Sequence, residues 1–184
     1  MDAKSRQALL AVAHDALQMY FIHGQKDSSD TNLFPDLAQK SGAFVSIYVE
    51  GELRGCVGHI TADRPLIEIV RQMAISAATQ DFRFPSLTAE ELPDVTIEIS
   101  VISAMQPMKD IHSIQIGIHG LFIKSGAMQG LLLPQVASRY EWSAEDFLAQ
   151  TCRKAQLPED AHTWDETEVS TFTAEIIKEE PAHS

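Results

Sequence analysis

A thiol and a guanidinium stand two residues apart, framed by two glycines, in Leu53-Arg54-Gly55-Cys56-Val57-Gly58. A neighbouring Arg favours the thiolate that makes a cysteine nucleophilic, and a helix N-terminus adds to that effect. A helix is expected after Asp63, so Cys56 and Arg54 form a candidate catalytic pair. Glycine at two nearby positions permits a sharp turn or close approach of another backbone. The Gly55-x-x-Gly58 spacing ahead of that helix could present backbone N–H groups to an anion, but it lacks the Lys-Ser/Thr of a phosphate loop. Cys56 and His59 have the spacing of half a zinc site, and no second Cys or His pair lies nearby to complete the four ligands.

The same residues also have a purely structural reading. If Glu50-Gly51 is a two-residue turn, Cys56 falls opposite Val45 and Arg54 opposite Ile47, which points both toward a β-branched face that looks buried. A free cysteine is among the residues most often buried. A guanidinium on such a face needs a partner to offset its desolvation. Glu98 and Asp81 are the candidate counter-charges, and an anionic substrate is the functional alternative. Arg83 poses the same choice, with Phe82 and Phe84 beside it expected as core anchors. The substrate-contact set is therefore Gly55, Gly58, His59, Asp81, Arg83 and Glu98.

The elements that must position these groups are readable from periodicity. Apolar residues at three- and four-residue spacing predict a helix over 5–21, carried by Leu9, Val12, Ala13, Ala16, Leu17 and Tyr20. Residues 23–32, with Gly24 and Asp27-Ser28-Ser29-Asp30, read as an exposed connection. A hairpin is expected from 43–49 and 52–57. Thr61 or Asp63 then caps a helix that has Pro65 near its start, runs through Leu66, Ile67, Val70, Met73, Ala74 and Ala77, and ends near Gln80.

Pro85 breaks the pattern at Asp81-Phe82-Arg83-Phe84-Pro85, and a helical turn is expected at 88–92. Alternation of Val95, Ile97, Ile99 and Val101 with polar residues predicts a strand near the middle of a sheet. A second hairpin is expected from 114–118 and 121–125 around His119-Gly120, with a loop between Gly126 and Gly130. Helices follow at 134–140 and 143–155, the second capped by Ser143 and burying Cys152, and a strand closes the pattern at 168–178. Hairpins interleaved with helices, without regular strand-helix-strand alternation, favour an α+β fold with a mainly antiparallel sheet.

Composition limits the partners. With 26 acidic and 14 basic residues the formal charge is −12, which disfavours phosphate backbones and anionic membranes. The N-terminus lacks the apolar centre of a signal peptide, and two cysteines far apart do not make a disulfide framework, so a cytoplasmic protein with free thiols is expected.

Several blocks together resemble the AMMECR domain family, which includes protein A of the AmmeMemoRadiSam system. They are Leu53 to Gly58, Asp81 to Pro85, Ile97-Glu98-Ile99-Ser100-Val101, Gly117-Ile118-His119-Gly120-Leu121 and Leu132-Leu133-Pro134-Gln135-Val136. Trp142, Phe147-Leu148, Cys152-Arg153-Lys154-Ala155, Trp164 and Phe172 extend the resemblance over about residues 5–178 of one domain, 1–184. It implies an α+β fold with a larger and a smaller lobe. It also implies company with a Memo-like protein and a radical S-adenosylmethionine enzyme, and it specifies no cofactor for this chain. Two readings stay open: an enzyme component with Cys56 and Arg54 at its site, or a non-catalytic module that binds a protein or an anionic metabolite.

Overall fold

The computed structural model describes residues 1–24 and 37–179, and these divide into two units: 1–102 with the chain's last stretch from Glu175, and Ser103–Ala174. The connection expected over 23–32 lies for the most part outside the described residues. His23 ends the first helix and Gly24 closes it with a φ of 64°, its N–H donating to the Met19 carbonyl.

In the first unit, helix α1 (Ala3–His23) starts at Asp2, whose carboxylate accepts from the Ser5 N–H, and it buries Leu9, Ala13, Ala16 and Leu17. Strands β1 (Gly42–Val49) and β2 (Glu52–His59) form the hairpin. Glu50 and Gly51 both have positive φ, 53° and 82°, as a type I′ turn requires. Helix α2 (Leu66–Thr79) buries nine of its fourteen residues, and β3 (Val95–Ile102) pairs antiparallel with β1. The core lies between the two helices and one face of this sheet, where Val45, Ile47, Ile97 and Ile99 meet Leu9, Leu17, Ile69 and Val70. Neither Thr61 nor Asp63 caps α2: Pro65 holds that position, and Asp63 accepts instead from His59 at 2.8 Å.

The register of the hairpin differs from the expected one. Pairing shifts between Ile47 and Tyr48, leaving Arg54 as an extra residue, so that Gly55 faces Ile47 and Cys56 faces Ser46. This is a β-bulge, and one inserted residue moves every later side chain to the other face. Cys56 therefore does not point toward the helix-covered core. Gly55 and Val57 take that side, and Cys56 shares the opposite face with Ser46 and Glu98.

The second strand of β3's pairing is β7 (Thr167–Lys178), whose end from Glu175 onward belongs to this unit. Glu175 takes the N-terminal ammonium at 3.1 Å and Arg6 at 2.7 Å, and Glu179 joins His14 at 2.6 Å to the Ile97 N–H at 2.8 Å. These bonds tie Glu175 and Glu179, at the end of β7, to α1 and β3.

In the second unit, β5 (His119–Ser125) pairs with β6 (Met128–Leu132) and with β7, and β4 (Gln106–Pro107) pairs with Ser170 and Thr171 along β7's other edge. The second hairpin is thus displaced by one element from the expected position. Residues 114–118 form a turn, His119 opens β5, and the tight connection is Ser125 to Met128 through Gly126 at φ 59°. What looked like a loop from Gly126 to Gly130 is mostly strand. Gly130 is needed there because a Cβ would come within 2.5 Å of the Ala155 backbone nitrogen. Helices α3 (Pro134–Arg139) and α4 (Ala144–Lys154) follow, the latter capped by Ser143 as expected. Phe147, Leu148 and Cys152 are buried against Leu121 and Ile123. Among the described residues no helix is long and apolar enough to cross a membrane.

Candidate functional site

The bulge decides where Arg54 goes. Its side chain leaves β2 and spans the short 3-10 helix Ala89–Asp94, placing Nε 3.2 Å and Nη2 3.1 Å from Glu91 Oε1, with Nη2 also 3.2 Å from Oε2. It donates further to the Pro85 carbonyl and, at 3.2 Å, to the Ser86 carbonyl. The counter-charge of Arg54 is therefore Glu91, not Glu98 or Asp81. Glu91 also accepts from the Thr88 N–H at 2.8 Å. Burial pulls the Glu91 carboxyl up, but the Thr88 N–H and Arg54 outweigh it and leave it below the ordinary carboxylate value.

Glu98 and Asp81 have other duties. Glu98 lies on the Cys56 face and pairs with Lys178 at 3.6 Å. Asp81, with its side chain 4% exposed, binds the Arg83 guanidinium through both oxygens, at 2.9 Å to Nε and 2.6 Å to Nη2. Its Oδ2 also accepts the Cys56 N–H at 2.9 Å, and Arg83 Nη2 donates to the Cys56 carbonyl at 3.3 Å. Arg83's hydrogen bonds, and next the N–H of Cys56 outweighing the cost of burial, hold the Asp81 carboxyl at about 2.

Burial pushes the Cys56 thiol up from its ordinary value, and the Ser46 hydroxyl, 3.2 Å away, together with Arg83 only partly offsets this. Arg54, expected to assist ionisation, is committed to Glu91. Gly55 and Gly58 are glycines for packing: a Cβ at Gly55 would lie 2.0 Å from the Ala77 carbonyl oxygen, and one at Gly58 2.1 Å from the Phe44 ring. His59 is held by Asp63 and Thr61 within its own turn. Among the described residues, no three His, Cys, Asp or Glu side chains come together as metal ligands.

Two residues depart from the expected core anchors, of which Phe84 is half-buried outside both core clusters. Phe82, expected as a core anchor, is 97% exposed. Its loop is nonetheless fixed at both ends. A turn closes from the Phe84 N–H to the Asp81 carbonyl at 3.1 Å, and Asp81 Oδ1 accepts the Arg83 N–H at 3.2 Å. Arg54 holds the Pro85 and Ser86 carbonyls, and the Arg83 guanidinium rests over the Phe84 ring at 5.4 Å. The first expected site motif and the Asp81 to Pro85 segment thus form one clamp, with Asp81 buried, Arg83 lying half exposed across it, and Phe82 between them turned out. The alternation of a charged, an aromatic and a charged residue was the available signal in the sequence. Large apolar side chains are usually buried, which is why the pattern alone points the aromatic inward.

Comparison with known proteins identifies the lineage. The AMMECR1 family profile matches residues 10–177. The chain belongs to the AMMECR1 family. An AMMECR1-family protein of Methanothermobacter thermautotrophicus is 40% identical over 181 residues, covering 95% of this chain and 94% of that protein. A relative from Thermococcus gammatolerans is 38% identical over 182 residues, covering 94% and 89%. The crystal structure of the uncharacterized protein PH0010 from Pyrococcus horikoshii superposes with a TM-score of 0.90 at 34% identity, over 96% of this chain and 92% of that one. The AMMECR1 fold is thus the α+β arrangement described above.

Proposed function

We propose that this AMMECR1-family chain is a binding component, which engages a partner protein through the Phe82 loop while the Leu53 to Gly58 motif serves as the loop's scaffold. The observation that carries this reading is the 97% exposure of Phe82 on a loop pinned by two arginines and a buried carboxylate. Aromatic side chains dominate the energetics of protein interfaces. A loop already fixed in one conformation loses little further freedom on binding, so more of the contact energy appears as affinity. An isolated exposed aromatic residue is common on protein surfaces. One held out by this many internal bonds has been positioned rather than left over.

The sequence resemblance supplies the candidate partners: a Memo-like protein and a radical S-adenosylmethionine enzyme. In such an assembly this chain contributes recognition and its partners contribute the bond-making chemistry on a small molecule or protein. An anionic metabolite is a weaker fit, because Arg54 and Arg83 already carry carboxylates that an incoming anion would have to displace. Catalysis by Cys56 is also disfavoured, since burial pushes its thiol above the ordinary value and Arg54 is committed to Glu91. The test is titration of the native chain and of Phe82→Ala against each purified partner from the same organism. Loss of binding in a variant that melts like the native chain supports the proposal, and equal binding overturns it.

A further inference from the structure

Both backbone groups of Cys56 point away from β1. In an antiparallel ladder the N–H and C=O of one residue lie on the same side of the strand, facing alternately toward and away from its neighbour. Those of Cys56 are taken by Asp81 and Arg83. Since, among the described residues, β1 is the one strand beside β2 in the sheet order, these groups lie on the sheet's outer edge. The Asp81 carboxylate sits where the next strand's carbonyl would accept, and the Arg83 guanidinium sits where its N–H would donate. Two side chains from a loop thereby occupy the place of a strand.

Free edges are templates for pairing with another chain, and charged groups placed against them are a known means of blocking it. We infer that the Asp81 and Arg83 pair guards the β2 edge, and that the occupant it excludes is a second copy of this chain paired β2 to β2. The edge is self-complementary. In a two-fold antiparallel pairing centred on Cys56, Gly55 falls opposite Val57 of the other copy, and the bulged Arg54 stays turned to Glu91 outside the paired stretch. No like charges meet in that register. Cys56 would exchange both hydrogen bonds with its counterpart, bringing the two Cα atoms to about 5.5 Å, within reach of a disulfide. The net charge of −12 opposes such pairing at long range, whereas the guard acts at contact.

The experiment uses the full chain carrying Asp81→Ala with Arg83→Ala, in about 0.3 M salt to screen the net charge. Its solution mass is expected to double from 20.3 kDa. Diamide, which takes up the two thiol hydrogens as the disulfide forms, should join the copies through Cys56 about tenfold faster than in the native chain, because pairing holds the thiols within bonding reach. Adding Cys56→Ser should abolish the crosslink. Asp81→Asn with Arg83→Gln keeps an acceptor and a donor in place and should behave as the native chain does. A folded Ala variant that crosslinks no faster than the native chain overturns the inference. Should that double variant not fold, Arg83→Ala alone opens the Cys56 carbonyl, and an unchanged crosslinking rate there overturns it equally. The readout involves no partner protein, so its failure and the failure of the partner proposal are distinguishable.

Discussion

Arg54 and Glu91 meet in a two-pronged pair, with the guanidinium Nη2 3.1 and 3.2 Å from the two carboxylate oxygens and the side chains 18% and 28% exposed. The pair joins β2 to the 3-10 helix that follows the Phe82 loop, and Arg54 spends its remaining donors on the loop's own carbonyls. A residue that could have been a substrate clamp is thereby an internal tie. Arg54→Ala is expected to lower stability by about 2 kcal/mol, since it leaves Glu91 and two carbonyls without their donor. Arg54→Lys should recover less than half of that loss, because an ammonium cannot serve the carboxylate and both carbonyls at once. Chemical denaturation of the two variants checks both expectations.

The tie was only partly legible in the sequence. The long, strongly periodic elements were: α2 declares itself through Leu66, Ile67, Val70, Met73 and Ala77, and β3 through the alternation of Val95 to Val101. The bulge at Arg54 was not, because Gly55 and Gly58 have no side chains whose polarity would reveal which face they take. One unseen residue therefore misplaced Cys56 and hid Glu91 as the partner. The displaced second hairpin has a related cause: Ile114, Ile116 and Ile118 alternate like a strand, yet Gly117 at φ 83° turns the chain there.

The two glycines of the motif should differ in tolerance. At Gly55 an added methyl meets the rigid Ala77 carbonyl of α2 at 2.0 Å, whereas at Gly58 it meets the half-buried Phe44 ring, which can swing aside. Gly55→Ala is expected to cost about 3 kcal/mol or more and Gly58→Ala about 1 to 2 kcal/mol. Thermal melting of the two variants gives the order directly, and the reverse order would contradict this packing.

Acid should weaken the clamp in a defined window. The Asp81 carboxyl sits at about 2 in the folded chain against an ordinary 3.8, so its contribution is complete above the unfolded value and is lost as pH falls toward 2. Its magnitude is on the order of 2 kcal/mol, counted once for the Asp81 and Arg83 pair. Asp81→Asn should remove this portion of the pH dependence between about pH 4 and 2 while leaving the stability profile above pH 5 parallel to that of the native chain. Denaturation midpoints across that range measure it.

The thiols should be sluggish. Burial raises both Cys56 and Cys152, and Cys152 is wholly covered, so at pH 7.5 iodoacetamide should modify Cys56 more slowly than free cysteine and Cys152 more slowly still. Cys56→Ser should fold with a change within about 1 kcal/mol. Mass spectrometry of the time course would read both rates, and rapid labelling of Cys56 would restore the case for a nucleophile.

The central claim is that the motif exists to hold Phe82 out for a partner. Calorimetric titration of the native chain and of Phe82→Ala with the Memo-like protein and with the radical S-adenosylmethionine enzyme tests it most directly. The account predicts binding to at least one of them, weakened in Phe82→Ala by about 2 kcal/mol, roughly thirtyfold in Kd, with an unchanged melting temperature. Binding of equal strength by the native chain and Phe82→Ala, or no binding of either partner by the native chain, would contradict it.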